Sequence, residues 1–220
     1  MARLARMLLA AGVVGLFFSG ARGELYNGDF SSGLDSWDVS LVVDESYPGY
    51  GIAEVTAEQL HLKAVNNYLW DEPSADWLMQ ESDLTWMTVS QLGTVPAGAS
   101  GFYFDGLATI TGGPASEELT AEAYVQVTLF YNDFAASRSW KLYASQPWTS
   151  FGEALPDLAP GSMFDVIISA QSGLDYDYAE AGHDYHISVE STLDNVSFVP
   201  EPASMALALL GGLAVLRRRR

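Results

Sequence analysis

Between residues 24 and 199 the hydrophobic positions recur every second residue. Gln59-Leu60-His61-Leu62-Lys63-Ala64-Val65 alternates polar with apolar, the period of a strand with one buried face. Leu84 to Val89, Gly101 to Asp105 and Tyr124 to Tyr131 are rich in aromatic and β-branched residues, and Arg138 to Tyr143, Phe164 to Ser169, Tyr185 to Val189 and Val196 to Val199 continue the pattern. Each run is short and bounded by turn chemistry such as Pro48-Gly49, Gly112-Gly113-Pro114 or Pro160-Gly161. Asn66 to Ser82, with Trp70 and Trp77 in it, reads as a longer loop or a short helical turn. No stretch of this region makes a long amphipathic helix. The pattern predicts an all-β domain, an antiparallel β-sandwich of the jelly-roll kind, over residues 24–199. That is roughly 176 residues, enough for one domain with its own core.

The period is lost at both ends. Met7 to Phe18 is an apolar run behind Arg3 and Arg6, and Ala21-Arg22-Gly23 places small residues at a cleavage site. This is the layout of a secretory signal peptide over residues 1–23, an N-terminal helix removed before Glu24. At the other end, Ala203 to Leu216 carries no charge, and its one polar side chain is Ser204. Ala203, Leu207, Leu210, Leu213 and Leu216 belong to a segment that is apolar on every side, unlike a surface helix. As a helix its 14 residues span about 21 Å, short of the ~30 Å hydrocarbon core. Arg217, Arg218, Arg219 and Arg220 follow it. Their long side chains snorkel to headgroups and extend the span, and the positive-inside rule holds them in the cytoplasm. Pro200 and Pro202 keep the helix from running back into the domain. The expectation is a C-terminal membrane helix with the sandwich outside.

Charge narrows the partners. The chain has 28 acidic and 10 basic residues. Between Glu24 and Pro200, Lys63, Arg138 and Lys141 stand against 27 acidic residues, a net charge of −24. Such a surface argues against nucleic acid and anionic headgroups, and favours solubility, salt tolerance or capture of divalent cations. Cysteine is absent, which excludes disulfides and thiolate chemistry.

Catalytic patterns are weak. His61 stands alone; His183 and His186, three apart, fall on opposite faces if they share a strand. No Gly-x-Ser-x-Gly elbow occurs, and with so many carboxylates a glycosidase-like pair is not a discriminating signal. Trp37, Trp70, Trp77, Trp86, Trp140 and Trp148 could stack on sugars, although core positions are the more frequent fate of such residues. Asp175-Tyr176-Asp177 lacks an EF-hand frame and reads as a solvated acidic loop, and Asn195-Val196-Ser197 matches a glycosylation acceptor on an expected terminal strand. The chain reads as a non-enzyme.

Two stretches resemble known families. Pro200-Glu201-Pro202, the apolar run and the arginines, in that order over residues 200–220, resemble the PEP-CTERM sorting signal of exported bacterial proteins. The resemblance implies an exosortase-type membrane protease as partner, cleavage near the triplet, transient membrane anchoring, and a destination at the cell surface or in the extracellular matrix. Leu25-Tyr26-Asn27-Gly28-Asp29-Phe30-Ser31-Ser32-Gly33-Leu34-Asp35-Ser36-Trp37, with Leu193-Asp194-Asn195-Val196-Ser197-Phe198, is similar to the opening and closing stretches of carbohydrate-binding modules with a galactose-binding-like jelly roll. That resemblance implies a calcium where first and last strands meet, with Asp29 and Asp194 as the matching ligands. The leading expectation is a non-catalytic structural or adhesive surface protein; the alternatives are a module binding surface polysaccharide and a hydrolase with an unseen site.

Overall fold

The computed structural model describes residues 25–42, 50–68, 70–71, 76–77, 85–111, 123–142, 146–173 and 182–200. The expected signal helix, the apolar run 203–216 with its arginines, Glu201, Pro202 and the Asp175-Asp177 loop lie outside them. Among the described residues no helix is long and apolar enough to cross a membrane.

Twelve strands make up the described secondary structure: β1 (Asp38–Val42), β2 (Tyr50–Thr56), β3 (Gln59–Tyr68), β4 (Trp70–Asp71), β5 (Asp76–Trp77), β6 (Thr85–Thr94), β7 (Ala99–Thr111), β8 (Tyr124–Tyr131), β9 (Ala136–Leu142), β10 (Gln146–Ala154), β11 (Met163–Ser172) and β12 (Tyr185–Pro200). Sheet A has the order β1-β6-β11-β8-β9 and sheet B the order β10-β7-β12-β3-β2. Every pairing is antiparallel, and β4 and β5 form a separate two-stranded pair.

The period of two closes the sandwich. Leu60, Leu62 and Ala64 of β3, Phe102 and Phe104 of β7, and Val189 and Leu193 of β12 are buried from sheet B. Val125, Val127 and Leu129 of β8, and Phe164, Val166 and Ile168 of β11, are buried from sheet A. Phe198 sits edge-on to Phe164 at 4.9 Å between ring centroids and to Phe102 at 5.5 Å, which locks the end of β12 between the sheets.

Several expectations are corrected. Tyr185–Val189 and Val196–Val199 are one strand, β12, interrupted by a register shift between Asp194 and Ser197. Asn195 takes a positive φ of 55° there, a conformation asparagine tolerates, so one strand turns without ending. Asn66 to Ser82 is neither loop nor helical turn throughout: β3 runs on through Tyr68, and β4 pairs with β5. β1, β2 and β10 show no clean period of two, because their outer positions mix polar and large apolar side chains, as in Tyr50, Ile52 and Trp148.

The first and last strands are not neighbours, since β1 pairs with β6. What meets β12 is the turn-rich segment Leu25–Trp37. The backbone N–H of Val196 donates to the Gly28 carbonyl at 2.9 Å. Asn27 ties the segment together: its Nδ2 donates to the carbonyls of Gly33 (2.7 Å) and Asp35 (3.2 Å), and its Oδ1 accepts from the Ser32 N–H (2.8 Å). Phe30 is fully buried against Trp37, whose indole N–H reaches the Asn27 carbonyl. The segment is fastened to sheet A by Gln91, which accepts from the Tyr26 N–H and donates to the carbonyls of Tyr26 and Ser36.

Candidate functional site

The outer face of sheet A is assembled in cross-strand rows. Ser40, Thr88, Ser169, Gln126 and Lys141 are register partners in one row, and Asp38, Ser90, Ile167, Thr128 and Ser139 in the next. Hydrogen bonds stiffen the centre: Gln126 Nε2 donates to Thr128 Oγ1 at 2.7 Å, and the hydroxyls of Thr128 and Ser139 lie 3.0 Å apart. Rows with aromatic members flank the two polar rows. Trp86, Gln171 and Tyr124 line up on one side, and Leu92, Asp165 and Phe130 on the other. Trp86 is 42% exposed, and the Lys141 ammonium sits 3.9 Å from the centre of the Tyr124 ring, a cation–π contact. Strands lie ~4.8 Å apart, so the indole and phenol stand on strands about 10 Å apart with Gln171 between.

Among the described residues, charge on this face is confined to Asp38, Asp165 and Lys141. Burial, and then the neighbouring Asp38, push the Asp165 carboxyl above its ordinary value. The rest is hydroxyl, amide and aromatic surface with the aliphatic Ile167 and Leu92 among it, in a domain that is otherwise strongly acidic.

The outer face of sheet B has a different character. A cleft of about 190 Å³ is lined by Ile52, Glu54, His61, Lys63, Glu190 and Thr192 among others. Lys63 and Glu190 form an ion pair at 2.5 Å, and this hydrogen bond raises the lysine pKa. His61 Nδ1 and Thr192 Oγ1 are 3.1 Å apart. Among the described residues each Lys and Arg has a partner: besides Lys63, Arg138 meets Glu153 at 2.7 Å, and Lys141 meets Tyr124.

Asp29 and Asp194 flank the junction between the N-terminal segment and β12. Asp29 Oδ1 accepts from the Ser31 hydroxyl and N–H. Asp194 Oδ1 accepts from the Asn195 N–H at 2.6 Å. Its carboxyl is pushed up, first by burial, with the charges of Asp105, Asp29 and Glu58 adding to the rise against the lowering hydrogen bond. Four carboxylates therefore share one corner electrostatically. Among the described residues no group of three or more His, Asp or Glu is gathered to hold a metal ion; the carboxylates of this corner feel one another's charge without forming a closed cage.

The remaining candidates separate cleanly. Trp37 is buried and Trp140 packs between Phe102 and Phe104, so both serve the core. Trp86 and Trp148 are exposed; of Trp70 and Trp77 the structure describes the backbone. His186 Nδ1 lies 2.5 Å from Asn67 Oδ1 on sheet B, away from any metal cluster. Asn195 donates from Nδ2 to Asp105 at 2.9 Å, which occupies the amide a glycan would need. The hydroxyl and amide rows of sheet A carried no signal in the sequence, because serine and threonine at alternate positions are what any solvated strand face shows.

Pro200 alone of the sorting triplet is described. It is the last residue of β12 and is in register with Ala99 of β7. The sandwich resembles several solved carbohydrate-binding structures. CBM4 is 15% identical, with 81% of this chain and 100% of that one covered, at a TM-score of 0.40. TmCBM61, solved in complex with β-1,4-galactotriose, is 15% identical, with 82% and 100% covered, at 0.36. A module from a study of promiscuous specificity in the β-sandwich superfamily is 14% identical, with 81% and 63% covered, at 0.44. No curated protein matches the chain. Residues 198–220 match the family model of the PEP-CTERM protein-sorting motif, so the last strand of the sandwich runs directly into a PEP-CTERM signal.

Proposed function

We propose that the chain is an exported bacterial surface or extracellular-matrix protein whose sandwich acts as a non-catalytic adhesive unit. The observation that carries this reading is the sorting motif at residues 198–220, joined without a spacer to β12. Pro200, Glu201 and Pro202 are the recognition triplet for an exosortase-type protease. Ala203, Leu207, Leu210, Leu213 and Leu216 belong to the transient membrane helix, with Arg217 to Arg220 as its cytoplasmic stop. Mass spectrometry of protein extracted from the surface of a host with an exosortase tests it. The expected product ends near Pro200–Pro202; recovery of intact chains alone overturns the proposal.

A second reading concerns what the sandwich adheres to. The outer face of sheet A supports binding of a neutral polysaccharide. Its hydroxyls and amides match sugar hydroxyls, and Trp86 and Tyr124 offer stacking surfaces. Sparse charge there avoids stripping water from carboxylates when a neutral chain lies down. Affinity electrophoresis against neutral and uronic-acid polysaccharides tests this. Retardation by the neutral polymers should fall in Trp86→Ala, a loss of about 1–3 kcal/mol if stacking on the indole resembles other ring stacking on aromatic side chains. Equal retardation of the variant places adhesion elsewhere. Calcium belongs to the proposal as a structural ion for which Asp29 and Asp194 would supply carboxylates.

A further inference from the structure

We infer that the sandwich stands directly on the membrane its tail enters. The end formed by the β6–β7, β8–β9 and β10–β11 connections lies against the zwitterionic headgroup layer, and the acidic end points away. This rests on the reading of residues 203–216 as a membrane helix.

The first argument is the length of the tether. Pro200 is paired with Ala99 inside sheet B, and only Glu201 and Pro202 separate it from the apolar run. Three fully extended residue steps cover at most ~11 Å. The headgroup layer on one side is about 5–8 Å thick. The run of 14 residues, at about 21 Å, is already shorter than the ~30 Å core and cannot ride up to lengthen the tether. The end of β12 is therefore held within a few ångströms of the headgroups.

The second argument is what surrounds that end. The three connections are one hydrogen-bonded unit. Val95 donates to Ser162 and Gly161 to Val95, Leu155 donates to Ser100, and Asn132 bonds Asp157 and Ala159. Their exposed positions include Ala97, Gly98, Phe134, Pro156, Ala159 and Pro160. The two acids among them are engaged: Asp157 accepts from the Tyr131 hydroxyl and Asp133 from the Met163 N–H. Phe134 is 51% exposed and held at φ 66°, the third consecutive left-handed residue of its turn. A bulky side chain in that region is an outlier, and nothing in the core uses this one. A membrane interface gives an aromatic ring at this height a place to sit.

The third argument is charge. The chain segments 43–49, 69–84, 112–122 and 174–184 all join strand ends at the opposite end of the sandwich, as the register Tyr185 with Tyr68, Ser188 with Thr111, Ser172 with Thr85 and Val42 with Trp86 requires. Those segments carry 14 of the 28 acidic residues and no Lys or Arg. Pressing that many ionised carboxylates into a headgroup layer would strip them of water, which keeps that end outward.

The chain has no cysteine, so single-cysteine variants report position cleanly. Phe134→Cys, Ala97→Cys and, at the far end, Thr111→Cys would be labelled with an environment-sensitive fluorophore in the full chain. Each would be reconstituted in phosphatidylcholine vesicles containing a headgroup-nitroxide lipid. The expected result is co-flotation of all three with the vesicles, and quenching several-fold greater at 134 and 97 than at 111. Chains that float with equal quenching at the three positions, or with stronger quenching at 111, overturn this inference alone. Chains that fail to float overturn the reading of the tail and the inference with it.

Discussion

At the scale of single residues, Gly28 is the least replaceable position of the N-terminal segment. A Cβ built there would lie 2.0 Å from the Val196 carbonyl oxygen, backbone that cannot swing aside. Gly28→Ala must break the Val196-to-Gly28 hydrogen bond or push the segment off β12. A loss of about 2–4 kcal/mol in urea unfolding is expected, and an unchanged midpoint would show that the segment is loosely held. Asp165 gives a pH-dependent counterpart. Burial and Asp38 raise its folded pKa, so the folded state binds the proton more readily than the unfolded one. Stability then falls as pH rises from the unfolded value through the folded pKa, and the ionised form is a net cost at neutral pH. Asp165→Asn should raise Tm at pH 7 by about 1–3 °C. The gain should shrink as pH falls through the folded pKa; a gain constant with pH would trace it to packing instead. Asn27-Gly28, as turn chemistry, and Phe30, as an apolar residue beside it, were legible in the sequence. Gln91, which fastens the segment to sheet A, was not, because a buried glutamine on a strand looks like any polar position until its partners are in place.

Among the elements, β12 joins the core to the signal. Its centre pairs with both β3 and β7, and after the bulge at Asn195 it keeps β7 while the Gly28 carbonyl takes over at Val196. Phe198 anchors this last part. Phe198→Ala should cost about 3–5 kcal/mol, measured by denaturant unfolding of residues 24–200. A chain ended after Pro200 should unfold at the same midpoint as the full chain in detergent, because β12 is then complete. If removing residues 201–220 destabilises the sandwich by as much as Phe198→Ala does, the strand is not the structural boundary. The strand β3 was legible because alternation leaves one apolar face, and β8 because it is dense in aromatic and β-branched residues. β1 and β10 lie at sheet edges, where burial on either face is partial and the pattern blurs.

The molecule as a whole carries −24 on the domain between its two terminal segments. Self-repulsion weakens the compact state until ions screen it or bind. Melting curves of residues 24–199 in millimolar calcium and in sodium chloride of equal ionic strength separate the two. If Asp29 and Asp194 hold calcium, the calcium curve shifts further, rises with the logarithm of concentration, and loses the excess in Asp194→Ala. Equal shifts would leave screening alone, and the two aspartates should then be dropped as ligands. Deprotonating Asp194 is disfavoured first by burial and then by the charges of Asp105, Asp29 and Glu58, so a calcium bound there would lower its pKa.

The sequence by itself determined the class of fold, the acidic surface and the sorting signal, since each is written in a contiguous pattern: a period of two, a count of charges, a triplet followed by an apolar run. These properties depend on neighbours along the chain. The tertiary structure alone decided which strands adjoin, that Leu25–Trp37 rather than β1 closes on β12, and that Trp86 faces solvent while Trp37 and Trp140 enter the core. It also decided that the sparsely charged rows of sheet A come together and that Pro200 is inside the sheet. Each of these brings together residues tens of positions apart. Period two fixes which face a side chain takes but leaves the partner strand open, and the partner is chosen by packing of the two sheets against each other.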